Sequence, residues 1–339
     1  MIDSKGNAVL IDFDQAKNND GKEMTGNIGS LYFSSPEQKI MNTYSFETDI
    51  YSLGIIIHFI LNKKFKICTS GVTDSLNNSL KHKKIELFDS HAHYNDEKFK
   101  EDRNQVISSV KAEGITKLIC GGYNVNSSKE AIEIAKNYDF IYSSCAISPN
   151  DIPQTEKELW KDIEQIKGML QKKEENKIVA VGEIGLDYYW NKENSELQKK
   201  AFIEQIKIAN EYDLPIVIHT REAVADTIDI LKNKINVENK GIFHCCPLNR
   251  ELVKEALKLD FYISLAGPIT FKNSKNANEI IDMLPLDKIL IETDSPYLSP
   301  EPLRGKRNDS RNVKYMAKKI AEIKNMDIEE IAKITYENA

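Results

Sequence analysis

From Glu86 onward the chain alternates two patterns. Short apolar runs rich in β-branched residues recur: "ELFDSHAH", "KLICGG", "FIYSSCAIS", "IVAVGEIG", "PIVIHT", "GIFHC", "FYISLAG" and "KILIETDS". Between them lie segments with apolar positions at helical spacing, such as "KEDRNQVISSVKAEG" and "SELQKKAFIEQIKIANEY". Runs of the first kind read as buried strands and the second as amphipathic helices. Eight strands, each followed by a helix over about 250 residues, predict an α/β fold, a (β/α)8 TIM barrel. A doubly wound open sheet is the rival, but no GxGxxG follows the first run.

Upstream the pattern changes. "KICTSGVTDSLNNSLKHKK", residues 66–84, is polar, has neither period, and reads as a linker. Residues 1–65 form a separate piece, so the expected division is 1–65, a linker at 66–84, and a barrel at 85–339. The apolar run Ser52 to Leu61 is too short to span a bilayer. "MIDSKGNAVLIDFDQAK" lacks the basic start and long apolar core of a secretory leader. Five cysteines without a CxxC pattern are expected as reduced thiols, which places the protein in the cytoplasm. Adjacent Cys245 and Cys246 fit buried strand-end thiols better than a redox pair. The net charge of -6 rules out a chain that coats a polyanion with its whole surface, so any nucleic-acid contact must come from a local basic cluster.

The polar residues at the strand ends change the picture from fold to chemistry. Residues two apart on a strand point to one side, so His91 and His93 aim both rings at one place. Glu183 ends the fourth run, His219 the fifth, His244 the sixth and Asp294 the eighth. Four of the six histidines of the chain thus fall at one rim. A lone HxH is as often a chance pair as a ligand pair, and a single strand-end His or Asp is more often simply hydrogen-bonded. Six ligand-type side chains converging where a barrel brings strand ends together point to metal. Imidazole and carboxylate without sulfur suit Zn²⁺, Mn²⁺, Fe²⁺ or Mg²⁺. Six donors exceed the needs of one catalytic ion with an open position and suit two divalent ions about 3.5–4 Å apart.

The motifs "FDSHAH", "AVGEIGLDYY", "HTREA", "GIFHC", "SLAGPITFKN", "IETDSPYL" and "RGKRN" together resemble the TatD family of metal-dependent deoxyribonucleases, within the amidohydrolase-like barrels. The resemblance spans Glu86 to Ala339. It implies that His91, His93, Glu183 and Asp294 hold one ion, and that Glu183, His219 and His244 hold the second, with Glu183 as the bridge. The implied activity is hydrolysis of DNA phosphodiesters, as a 3′-to-5′ exonuclease that prefers single strands. A monomer is the default expectation for the oligomeric state, on which the sequence carries no signal. Asp294, beside the water that attacks, is the expected proton acceptor. Arg221, two residues past His219, is placed to hold a phosphate oxygen by its planar fork. Arg304, Lys306 and Arg307 lie just past the eighth strand, where such barrels often hold phosphate, although a basic run alone is usually only a solvated surface. Tyr188 or Tyr189 offers a ring for stacking a base, with packing the plainer reading.

Two departures from the family pattern are visible. Ser148 and Asn150 stand where the family often carries a His-Pro-His, which bears on substrate preference and leaves the ligands intact. The chain stops at "YENA", from which a frayed terminal helix is expected.

The first piece, "AVLIDFDQAK", "GNIGSLYFSSPEQ" and "FETDIYSLGIIIHFIL", resembles the latter part of a protein kinase. Asp12 matches the magnesium-binding Asp, but Asp14 replaces the following glycine. The chain has no Gly-rich loop, strand lysine or HRD ahead of it, so no phosphoryl transfer is expected from this partial domain. Two other readings remain. One is a barrel hydrolase acting on an amide, lactone or ester, against which Glu183 stands where many such relatives use a carboxylated lysine. The other is a non-enzymatic scaffold that binds partners through the kinase-like piece.

Overall fold

The chain divides into two units, Met1–Lys83 and Lys84–Ala339. The computed structural model describes residues 85–339. The kinase-like piece, with Asp12 and Asp14, and the linker therefore lie outside the described residues.

All eight expected strands form. They are β1 (Leu87–Ala92), β2 (Ile115–Gly121), β3 (Ile141–Cys145), β4 (Ile178–Asp187), β5 (Ile216–Arg221), β6 (Gly241–Phe243), β7 (Tyr262–Leu265) and β8 (Ile289–Ile291). Their order in the sheet follows the sequence, and every pairing is parallel. A parallel strand needs a crossover back to its neighbour. The crossovers carry α1 (Arg103–Ala112), α2 (Val125–Asn137), α3 (Glu156–Leu170), α4 (Ser195–Glu211), α5 (Val224–Asp229), α6 (Arg250–Lys258) and α7 (Ala277–Met283), and α8 (Val313–Lys324) and α9 (Ile328–Asn338) follow β8. No helix among the described residues is long and apolar enough to cross a membrane.

Local sequence explains the helix starts. Asn124 and Ser127 make a reciprocal capping box at α2, Thr155 accepts the Glu158 N–H at α3, and Asn249 accepts the Leu252 N–H at α6. The buried faces of strands and helices meet in one core that includes Ile107, Leu118, Phe202 and Phe243. The terminal helix is not frayed as expected. Thr335 is buried, and Asn338 Nδ2 donates to the carbonyls of Leu286 and Ile289.

At the C-terminal rim β1 and the segment after β8 are joined. Asp294 N donates to His91 O at 3.0 Å and His93 N to Ser295 O at 2.7 Å. The buried Asp89 carboxylate clasps the same segment, accepting the Thr293 N–H at 2.9 Å and the Thr293 hydroxyl at 2.6 Å.

Two irregularities aim ligand side chains. In the β4–β5 pairing Gly182 faces Val217 and Ile184 faces Ile218, which leaves Glu183 as the extra residue of a bulge. Bulges of this kind re-aim one side chain at a barrel rim. In β1 the register slips between Asp89 and Ala92, so strict alternation is not what brings His91 and His93 together. Gly185, at φ +139° opposite His219, takes a conformation and a proximity that leave no room for a Cβ.

Candidate metal centre

Five strands and the segments that follow them deliver the six predicted ligands to one place, although Glu183 lies inside β4, which continues to Asp187, rather than at its end as expected. His91 Nε2 lies 3.1 Å from His93 Nε2 and 3.1 Å from Glu183 Oε1. His93 Nε2 lies 3.0 Å from Glu183 Oε1 and 3.2 Å from Asp294 Oδ1. Each of these four residues offers a ligand atom within 4.8 Å of the others. The second oxygen of Glu183 faces a different pair, with His219 Nδ1 at 3.6 Å and His244 Nε2 at 3.7 Å. One carboxylate thus divides its two oxygens between two donor groups.

The far nitrogens of the rings decide what the near ones can do. His93 Nδ1 is 2.9 Å from the carbonyl of Gly121, which can only accept, so that nitrogen carries the proton. His219 Nε2 donates to Asp187 Oδ2 at 2.9 Å, and His244 Nδ1 to Glu292 Oε1 at 3.1 Å. In the neutral rings the lone pairs of His93 Nε2, His219 Nδ1 and His244 Nε2 therefore point inward at carboxylate oxygens. Such a gathering of acceptors is repulsive unless protons or cations sit among them. The donor set fits divalent ions. His91 is the exception, a wholly buried ring whose Nδ1 has no hydrogen-bond partner.

The same crowding sets the ionisation of the cluster. Burial opposes charge on His93, but hydrogen bonds to Asp294 and Glu183 outweigh it and hold the ring well above the usual imidazole range. His244 is raised to about 9 by Glu183 and Glu292 against the cost of burial. Burial would raise Glu183, yet the surrounding imidazoles hold it well below the ordinary carboxylate range, and Asp294 is lowered in the same way by His93 and His244. His91 moves down, through burial and the nearby His244. The cavity is a strong field for positive charge.

Close approach of the rings requires Gly121. A Cβ built there would meet His91 Cε1 at 2.8 Å and His93 Cε1 at 3.2 Å.

Three carboxylates that sequence reasoning passed over hold the ligands in place. Asp187 orients His219. Glu292 orients His244 and also accepts the Cys245 N–H at 2.6 Å and the Ser264 hydroxyl at 2.5 Å. Asp89, its carboxyl pushed up to about 7 by burial, clasps the Asp294 segment. Asn308, the last residue of "RGKRN", is buried and donates to Thr293 O and Tyr297 O, so it braces the same segment. Their only signal was a charged or amide residue beside an apolar run.

The basic residues are less concentrated. Arg221 is exposed with its guanidinium 3.8 Å from the centre of the Tyr189 ring. Arg304 is exposed and lies over Phe271 at 4.3 Å, and Lys306 is exposed beside it. The fork of Arg307 is committed elsewhere: both terminal nitrogens pair with Asp102, at 2.8 and 2.6 Å, and one also donates to Lys98 O. Of the two tyrosines, Tyr188 donates its hydroxyl to Asp226 at 2.6 Å, which leaves Tyr189 on the surface. Ser148 accepts the Asn150 N–H, and Asn150 Nδ2 lies 3.3 Å from Asp187 Oδ2, within the support of His219. Cys245 and Cys246 are not joined to each other; Cys246 is buried as expected, whereas Cys245 is only partly buried.

A family model described as "TatD related DNase" matches residues 88–339. A second, described as "Protein kinase domain", matches residues 1–139, and the described part of that span forms β1, α1, β2 and α2 of the barrel. The metal-dependent hydrolase YabD of Bacillus subtilis (strain 168) is 44% identical over 255 residues, covering 75% of this chain and 97% of its own. The metal-dependent hydrolase YcfH of Escherichia coli (strain K12) is 33% identical over 255 residues, covering 74% of this chain and 93% of its own. The crystal structure of the TatD homologue YjjV from Escherichia coli K12 superposes with a TM-score of 0.70 at 25% identity, over 75% of this chain and 96% of that one.

Proposed function

The chain belongs to the TatD-related DNase family of metal-dependent hydrolases, and from that premise we propose that it hydrolyses phosphodiester bonds of DNA, releasing nucleotides from single-stranded 3′ ends as a monomer. The observation that carries the reading is the division of the Glu183 oxygens between two groups of donors. His91, His93, Glu183 and Asp294 would hold one divalent ion and Glu183, His219 and His244 the other. Ions bound there supply Lewis acidity to a phosphoryl oxygen and bring water toward ionisation near neutral pH.

The rest falls to the protein. Asp294 accepts the proton of the attacking water, as a carboxylate at the rim facing His93. Asp187 and Glu292 keep His219 and His244 in the tautomer whose inward nitrogen is free. Arg221 holds a phosphate oxygen next to His219, and Arg304 and Lys306 steer the polyanionic strand from the loop after β8. A phosphodiester is preferred to an amide, lactone or ester because Glu183 stands where many such relatives use a carboxylated lysine, and because Arg221, Arg304 and Lys306 are exposed cations at the end of β5 and on the loop that follows β8.

The test is to incubate the full chain with 5′- and 3′-labelled single strands and Mg²⁺ or Mn²⁺. Stepwise nucleotide release from the 3′ end that EDTA abolishes is expected. Absence of EDTA-sensitive release, or a higher kcat/KM for a carboxylic ester than for any nucleotide, overturns the reading.

A further inference from the structure

The loop after β4 exposes two adjacent aromatic rings beside the metal centre. Tyr189 is 49% and Trp190 67% exposed, and among the described residues only Tyr297 is a comparably exposed large apolar side chain. Tyr297 is otherwise engaged, donating its hydroxyl to Asp96 with the Lys98 ammonium over its ring. Tyr189 and Trp190 meet edge to face at 4.8 Å, and the Arg221 guanidinium covers Tyr189 at 3.8 Å and approaches Trp190 at 5.6 Å. Side chains of this size left in water at a catalytic rim mark a contact surface.

Backbone geometry ties this group to a ligand. Asp187 Oδ1 accepts the N–H groups of Tyr189 at 3.0 Å and Trp190 at 3.2 Å, while Oδ2 of the same carboxylate holds His219. Arg221 is the register partner of Asp187, and its carbonyl accepts the Tyr188 N–H. The backbone that carries the rings therefore keeps a fixed relation to His219.

Resting on the phosphodiesterase reading above, we propose that Tyr189, Trp190 and Arg221 form a shelf on which an unpaired nucleobase of the substrate strand stacks, with Trp190 as its exposed platform. Indole and phenol faces bind any base by stacking, and a guanidinium stacked through its face keeps its in-plane donors for phosphate. In a duplex the bases are already stacked on each other and cannot reach the shelf without being unpaired. The shelf thus selects single strands, and does so through the base rather than the backbone.

The test compares an oligothymidylate with the same strand carrying abasic sites in its last three positions, in the full chain. Wild type should show a KM about tenfold lower for the base-bearing strand. Trp190→Ala should erase that difference through KM, and Trp190→Phe should keep most of it. Because Trp160 is the only other tryptophan, quenching of tryptophan fluorescence by oligothymidylate in EDTA gives a second readout. It should be present in wild type and lost in Trp190→Phe. A wild type that degrades DNA while Trp190→Ala keeps the full discrimination, or loses it through kcat alone, overturns the shelf and leaves the nuclease reading standing. Neither cleavage nor quenching by any strand overturns both. Concentration-dependent self-association that Trp190→Ala abolishes would make the surface a contact between copies and also overturn the proposal.

Discussion

Asp187 and His219 are joined by a 2.9 Å hydrogen bond from ring Nε2 to carboxylate Oδ2. The bond fixes the tautomer whose Nδ1 faces Glu183. Partners of this kind are worth about 10–100-fold in metal affinity. Asp187→Ala should weaken loading of the His219–His244 position by that factor and leave the position built on His91 and His93 almost unchanged. Isothermal titration with Mn²⁺ or Zn²⁺ resolves the two steps. Equal weakening of both would contradict the separate roles.

Glu183→Ala removes an oxygen from each group at once. Turnover should fall by about a thousandfold or more, carried by kcat. Arg304→Ala should instead raise KM and reduce the salt slope of binding by about one unit, since a phosphate contact is lost. Steady-state kinetics at several salt concentrations separates the two patterns. A similar kinetic loss in both variants would refute the assignment.

Gly121→Ala places a methyl group 2.8 Å from His91 Cε1. The ring must shift. Metal affinity should drop by about tenfold or more, as when ligand support is lost. The melting temperature of the metal-free protein should fall by only about 2–4 °C, the shift that corresponds to about 1 kcal/mol. Differential scanning calorimetry with and without metal checks this, and unaltered metal affinity would show that the rings have room to move.

His93 and His244 hold protons more tightly than an ordinary imidazole, because Asp294, Glu183 and Glu292 surround them. Cations must displace those protons. Near neutral pH metal loading should release protons, and affinity should decline as pH is lowered. Calorimetry in buffers of different ionisation enthalpy measures the release directly. Loading without proton release would mean that the two rings are already neutral.

Much of this architecture was legible in the sequence because the ligands occupy a position with a fixed meaning, the C-terminal end of a barrel strand. Apolar runs located the strands, and the polar residue ending each run then gave His91, Glu183, His219, His244 and Asp294. The bulge at Glu183 was not legible, because it exists only in the pairing of β4 with β5. Asp187, Glu292 and Asp89 were passed over for a related reason. A carboxylate that accepts a ring N–H looks, in sequence, like any polar residue near a strand end. The "RGKRN" stretch mixed several functions: Asn308 is a buried brace, Arg307 pairs with Asp102, and Arg304 and Lys306 remain at the surface. Charge alone could not sort them.

The clasp between Asp89 and Thr293 joins positions 204 residues apart. During translation the first histidines are made long before Asp294, and until Asp294 is added the group built on His91 and His93 lacks one of its four members. The two halves of the cage exist together only once the final strand has docked against the first. Shortening the polypeptide ahead of β8 removes both Asp294 and the clasp that sets it against β1, even though five of the six ligands would still be synthesised.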